Sequence, residues 1–595
     1  MRYSEVQFNK DVAYYKRMLK KRLGKGKTCL VSLPLENESA FFSLAPLSRA
    51  VDEFGSDLSV FVLGKESSTL PVLRKTWELY SQLKKGGKSN AAKAMQAFIE
   101  SVQRKTKDSY FEKLFRQPDL EINVKTKGFG FDSKLIDFRT GWFRRSKWKQ
   151  LLATNKRILQ QGYGLRKAER LSIGFELIPK KKSLELPLQD YLDSFSIAYT
   201  FALAGKAMCK SVSMGAETAR MSQLEPMGRV SDLSSTLVGC EYEKNISEPW
   251  FNAFKRLSPF IGASKLNPSN ASFGIHGKGY GGKHFFGMKI GYPSPNRKTR
   301  WQGPGQMFLK PWWAEQSKID KRPARTRYAI TETLPLENYI RSCYVDYFKM
   351  REKADRIRDV LRKSKALFVE GQRVKGGRTS LRLDLSHILS KKSPVLSSDI
   401  EVNPKTPREA AKIFKTNSGR YGNFPGGEVF FTPHRMDGTF IGDVVINVDQ
   451  SYVIPENKPL VVSVKAGKYR VLSGSGTILK AFNKRKKESM GMIRIFEKNR
   501  SMPKKIISSM KRNFSNVGEF AINTNPKARL SRYLIETEKL ARMIHIALGS
   551  GYEPGRQTTY HCDIVINSPR QKLDIYAIDK AGNQLWIIKK GKMVV

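Results

Sequence analysis

The chain has 595 residues, of which 40% are hydrophobic and 11% aromatic; it is too long for one hydrophobic core and too apolar to be disordered, so roughly two to four domains are expected. Lys and Arg number 107 against 54 Asp and Glu, a net charge of +53, which attracts polyanions such as nucleic acid non-specifically. Five cysteines stand singly, at Cys29, Cys209, Cys240, Cys343 and Cys562, and this excludes a disulfide framework and a zinc ribbon. No apolar run is long enough to span a bilayer and the N-terminal stretch lacks the apolar core of a signal peptide, so a soluble, cytoplasmic protein away from membranes is expected.

Apolar positions at helical spacing predict a basic amphipathic helix over Val6–Leu23, stopped at Gly24. Thr28–Leu35 and Leu58–Leu63 are rich in strand formers and flank a helical stretch, Ser39–Phe54. Strand, helix and strand at this spacing form a βαβ unit, and so predict a parallel sheet. Helices follow over residues 71–107, 147–159 and 191–207, with short strands at 120–124 and 173–178. The segment Ala271–Trp313 is crowded with glycine and aromatic residues and predicts a long irregular excursion. One long charged helix is predicted over Pro335–Lys363, and beyond it the pattern turns mainly β. Strands are predicted at 366–369, 380–385, 428–432, 442–448, 460–464 and 469–472, interrupted by helices at Met490–Arg512 and Leu530–His545.

Two phosphate-loop patterns fail on context. Gly24-Lys25-Gly26-Lys27-Thr28 precedes a strand where a P-loop follows one, and Gly277-x-Gly279-x-x-Gly282 lies in a glycine-rich stretch with no βα unit around it. The histidines are more informative, because there are only six. His276, His284 and His387 read as structural residues; His434 lies close to a candidate acidic ligand; His545 and His561 each sit where other ligand types are at hand. His561 and Asp563 are two apart, so on a strand they share a face while Cys562 points away.

Four blocks in order carry a resemblance. Gly422–Phe430 (GNFPGGEVF), Val517–Pro526 (VGEFAINTNP), Glu538-Lys539-Leu540 leading to His545–Gly549 (HIALG), and His561-x-Asp563 together resemble the signature blocks of the aminopeptidase T and aminopeptidase S family of dinuclear metallo-aminopeptidases. The resemblance covers residues 369–595, including Gly376–Leu381. It implies that Glu428, Glu519, His545, His561 and Asp563 are metal ligands, that Tyr552 donates to the oxyanion, with Tyr560 as the alternative, and that Glu519 either moves the proton to the leaving amine or bridges the metals. Three carboxylates and two imidazoles suit two divalent ions roughly 3.5 to 4 Å apart, with zinc, cobalt or manganese favoured by the nitrogens.

The expected fold is α/β plus α+β. Residues 1–64 begin an N-terminal α/β domain, 65–335 are its large basic insertion or elaboration containing the glycine- and aromatic-rich segment, 336–365 are a connecting helix, and 366–595 are a mainly β metal-binding peptidase domain with helices. The resemblance further implies hydrolysis of the N-terminal peptide bond by water activated between two metals, a peptide substrate with a free N-terminus, and a homodimer. Two other functions fit the sequence: a basic nucleic-acid-associated protein on a peptidase-derived scaffold, and a dinuclear hydrolase of a non-peptide substrate.

Overall fold

The computed structural model describes residues 3–63, 69–106, 115–124, 145–184, 186–217, 248–266, 271–276, 327–389, 397–398, 421–449, 451–498, 504–551, 555–556 and 558–595. It is mixed α/β, with one sheet that contains parallel pairs and two large antiparallel sheets. The chain divides into two compact units, one mainly residues 1–277 with 325–340, the other mainly Arg341–Val595. No helix among the described residues is long and apolar enough to cross a membrane.

The first unit is built on seven strands: β1 (Thr28–Pro34), β2 (Asp57–Leu63), β3 (Leu120–Asn123), β4 (Arg170–Gly174), β5 (Ser211–Glu217), β6 (Ala271–His276) and β7 (Arg327–Glu332). They lie side by side in the order β7-β6-β4-β5-β2-β1-β3. The expected βαβ unit is present: the helix Glu38–Glu53 leads from β1 to β2, which pair in parallel from Thr28 opposite Asp57 to Pro34 opposite Leu63. β1 is also parallel to β3, and β4 is parallel to both β5 and β6, as β6 is to β7. The two parallel groups meet at an antiparallel seam between β2 and β5. Segment 65–335 thus supplies five strands of the same sheet. The helix Leu188–Lys206 is buried almost throughout, as its apolar sequence requires.

Local chemistry accounts for several differences from the sequence reading. Ala271–His276 is a strand where an irregular excursion is expected, and residues 277–313 lie outside the described residues. Over 335–363 there are two helices, Leu336–Cys343 and Tyr347–Lys363. The Asp346 side chain accepts from the amides of Phe348 and Lys349, which starts the second helix afresh. The helix expected over 490–512 is Gly476–Lys498 followed by Lys504–Arg512.

The second unit holds β8 (Ser364–Val374), β9 (Gly377–Asp384), β10 (Ser397–Ser398), β11 (Tyr421–Asn423), β12 (Glu428–Phe431), β13 (Met436–Gly442), β14 (Val445–Asn447), β15 (Ser451–Val453), β16 (Leu460–Lys465), β17 (Lys468–Ser473), β18 (Val517–Asn523), β19 (Ile544–Gly549), β20 (His561–Ile566), β21 (Asp574–Asp579), β22 (Gln584–Lys589) and β23 (Lys592–Met593). One sheet runs β10-β12-β18-β19-β20-β14-β15 and the other β17-β16-β13-β9-β8-β21-β22-β23. Residues of both sheets and of the helices Tyr347–Lys363 and Gly476–Lys498 share one hydrophobic core. The helix expected over Leu530–His545 shrinks to Leu534–Thr537, and His545 lies on β19. Every residue of β19 is buried between β18 and β20, so sheet pairing overrides the helical propensity of the preceding run.

Candidate metal centre

Strands β12, β18, β19 and β20 are neighbours in that order, and strand alternation sorts their side chains into two faces. Val429, Phe431, Phe520, Ile522, Ile544, Ile546, Leu548, Cys562, Ile564 and Ile566 all enter the hydrophobic core. The alternate residues therefore share the other face: Glu428 on β12, Glu519 and Asn523 on β18, His545 on β19, His561 and Asp563 on β20. Cys562 points away from its two neighbours, as the i, i+2 spacing predicts.

Register brings these residues across the strands. Glu519 stands opposite Ala547, and Ala547 opposite Asp563; one step along, Ala521 stands opposite His545. Glu428 stands opposite Asn523 and His561 opposite Gly549. Alanine and glycine between the polar side chains leave the face low enough for carboxylates and imidazoles to converge. Glu428, Glu519, His545, His561 and Asp563 are all at most 4% exposed.

The convergence forms two groups of three, Glu428–Glu519–His545 and Glu519–His561–Asp563, each able to hold a metal ion, with Glu519 common to both. Glu519 Oε1 lies 3.3 Å from His545 Nε2, and its Oε2 lies 3.3 Å from His561 Nε2. Asp563 Oδ1 is 2.9 Å from His561 Nε2, and Glu428 Oε2 is 3.5 Å from His545 Nε2.

Both imidazoles are oriented through their other nitrogen. His545 Nδ1 lies 3.0 Å from Asn523 Oδ1, and His561 Nδ1 lies 2.7 Å from the Ser550 carbonyl oxygen. An Nδ1–H that donates to an oxygen fixes the neutral tautomer and turns the Nε2 lone pair inward, as in histidines that bind metal through Nε2. With hard oxygens and borderline nitrogens in one buried cluster, the donor set fits a divalent transition ion.

The carboxylates and imidazoles of the cluster shift one another's titration. Burial disfavours the charged imidazole of His545, but the hydrogen bond and charge of Glu519, with Glu428 and Asp563 behind it, outweigh this and raise its pKa from 6.5 to about 9. His561 is raised well above its ordinary value against the same desolvation, by Asp563 and then Glu519. Burial alone would raise the Glu519 carboxyl; its hydrogen bonds to both imidazoles hold it instead well below the usual carboxylate range.

Two further charges sit at the edge of the cluster. The Lys539 ammonium, buried, lies 2.6 Å from Glu428 Oε2 and 3.0 Å from Glu538 Oε1. Asn525 builds the place for it: its amide nitrogen donates to the Lys539 carbonyl and its side chain to the carbonyls of Gly426 and Ser342. That clasp ties the turn carrying Lys539 to the start of β12. Glu538 is buried, and burial raises its pKa despite Lys539.

Tyr552 lies outside the described residues. Tyr560, the alternative to it, is committed elsewhere, its hydroxyl bonded to the Phe514 carbonyl and to Tyr469 within the core. His434 belongs to neither triad; its ring stacks on His387 at 3.9 Å between centroids. Asn523, Ser550, Glu538 and Lys539 escape the sequence reading as contributors to the centre. Only Asn523 has a clear signal, since it follows Glu519 by four residues on one strand face.

The edge of the centre depends on Gly549, opposite His561. It has φ +104°, and a Cβ there would stand 2.5 Å from the Tyr560 carbonyl oxygen. Gly549→Ala is expected to destabilise the fold by on the order of 2 to 4 kcal/mol, read as a lower urea midpoint at unchanged slope.

No protein-family model matches the chain, and no curated protein matches it. Among solved structures, wild-type AmpT from Thermus thermophilus is similar to it, with 14% identity, a TM-score of 0.39, and coverage of 75% of this chain and 99% of the AmpT chain.

Proposed function

We propose that this chain is a metal-dependent aminopeptidase that hydrolyses the N-terminal bond of peptides. The observation that carries the metal centre is the pair of buried triads sharing Glu519, with each imidazole oriented through Nδ1. The narrowing to peptides rests on the four ordered sequence blocks, whose acidic and imidazole residues converge on one sheet face. In this reading Glu428, Glu519, His545, His561 and Asp563 are the ligands, with zinc, cobalt or manganese as the fitting ions. A divalent ion bound there would polarise the scissile carbonyl and acidify water.

The side chains take distinct parts. Both oxygens of Glu519 are engaged by imidazoles and its carboxyl is held far below neutrality, so Glu519 serves as the shared ligand and is a poor base. Glu538 is the buried carboxyl beside the cluster that belongs to neither triad. Its raised pKa suits it to carry a proton to the leaving amine. Tyr552 retains the role of oxyanion donor. Exclusion of water by the buried sheet face strengthens each of these charge interactions.

Activity on a panel of aminoacyl anilides and short peptides tests the proposal. Chelation should bring turnover to background, and zinc, cobalt or manganese should restore it. N-acetylated versions of the same peptides should be refused. Equal turnover after chelation would overturn the metal reading, and equal turnover of acetylated peptides would overturn the exopeptidase reading. We take the homodimer to be the working form, which sedimentation would check. The +53 charge gives this enzyme a non-specific affinity for nucleic acid that salt should abolish.

A further inference from the structure

The two triads are not equivalent, because Lys539 is set against one of them. Its ammonium lies 2.6 Å from Glu428 Oε2, the same oxygen that stands 3.5 Å from His545 Nε2. Glu428 and His545 are the two ligands that belong to the first triad and not to the second. An ion bound through that Glu428 oxygen would therefore share it with a buried cation already at ion-pair distance. That cation is held in place on both sides: the turn carrying Lys539 pairs with Asn525 through two backbone hydrogen bonds, Asn525 N donating to Lys539 O and Ala541 N donating to Asn525 O, and the ammonium also meets Glu538. A dication entering this triad would face a buried positive charge a few ångströms away, where repulsion is poorly screened. The second triad, Glu519–His561–Asp563, has two carboxylates on one imidazole and takes its positive charge from whatever ion it binds.

We propose, on the basis of the metal-centre reading above, that the chain holds one divalent ion tightly, in Glu519–His561–Asp563, and that the Lys539 ammonium supplies at Glu428–Glu519–His545 the positive charge a second ion would otherwise bring. Lys539 is in this sense a positioning residue. It fixes Glu428 and neutralises the first triad, so that the centre works with one tight ion and a built-in cation, and any second ion binds about 10–100-fold more weakly.

Metal content decides this independently of activity. The full-length protein is stripped with chelator, reloaded with zinc, dialysed against a low zinc concentration, and its zinc counted by plasma mass spectrometry, with titration calorimetry for the affinities. One zinc per chain is expected for the native sequence and for Lys539→Arg, which keeps the charge. Lys539→Met should take up two, with the second affinity raised about 10–100-fold. Two equally tight zinc ions in the native protein would overturn the inference and leave the metal centre standing. So would a single zinc in a folded Lys539→Met, or a loss of zinc on that substitution, which would make the lysine a ligand. No zinc in the native protein would overturn the metal centre together with this inference. The native count bears on the proposal even if Lys539→Met does not fold.

Discussion

Glu519→Gln is expected to lower turnover of an aminoacyl anilide by more than about a thousandfold and to abolish zinc binding. The size of the effect follows from its position in both triads. Glu519 presents one oxygen to His545 and the other to His561, each at 3.3 Å. A glutamine can offer one neutral oxygen and must turn an NH2 toward the other imidazole, so both triads lose an anionic donor and one of them gains a competing hydrogen-bond donor. Glu428→Gln makes the matched control, since it touches only the first triad and should retain the ion bound by Glu519, His561 and Asp563. The metal-free variant should also lose stability, by about 3 to 5 kcal/mol, because two buried imidazolium groups lose their shared counter-ion. Circular dichroism and thermal melts of the stripped proteins would separate that loss from the loss of metal. Persistent turnover, or retained zinc in a folded Glu519→Gln, would show that the centre lies elsewhere.

The convergence of the candidate ligands on one face was legible because strand alternation and ordered blocks are local signals. His561 and Asp563 announce their shared face by spacing alone, and β1, its helix and β2 announce a parallel pair by pattern. His545 was legible as a candidate ligand but not as a strand residue: the run from Leu534 to Arg542 favours helix, and only its insertion between β18 and β20 makes Ile544–Gly549 extended. The antiparallel seam between β2 and β5 joins residues some 150 positions apart, and no local periodicity encodes such a pairing. Lys539 shows the same limit at the site. In the sequence it stands only as part of the Glu538-Lys539-Leu540 block, and its burial beside Glu428 depends on Asn525, fourteen positions earlier, fastening its backbone near β12.

Raising the pH from 6 to 9.5 is expected to weaken the metal-free fold while strengthening the hold on metal. His545 carries a folded-state pKa raised from 6.5 to about 9. Its bound proton therefore stabilises the fold fully below pH 6.5, and that contribution is lost as pH rises through about 9. His561, raised well above its ordinary value, extends the loss to higher pH. Glu519 acts at the other end: its depressed carboxyl contributes stability above about 4.5 that is lost as pH falls toward its folded value. The stripped protein should melt highest between these limits and lose melting temperature as the medium turns alkaline. A metal ion competes with those same protons, since an imidazolium has no lone pair to give. Each imidazole that must release a proton makes apparent affinity rise about tenfold per pH unit. An ion in Glu519–His561–Asp563 alone therefore gives a slope of one, from His561; occupation of both triads would give a slope approaching two below pH 9. The increment in melting temperature on adding zinc should widen across the same window, and calorimetry in buffers of different ionisation enthalpy should count the protons released. An increment that stays constant from pH 6 to 9.5 would mean that the imidazoles do not bind the metal.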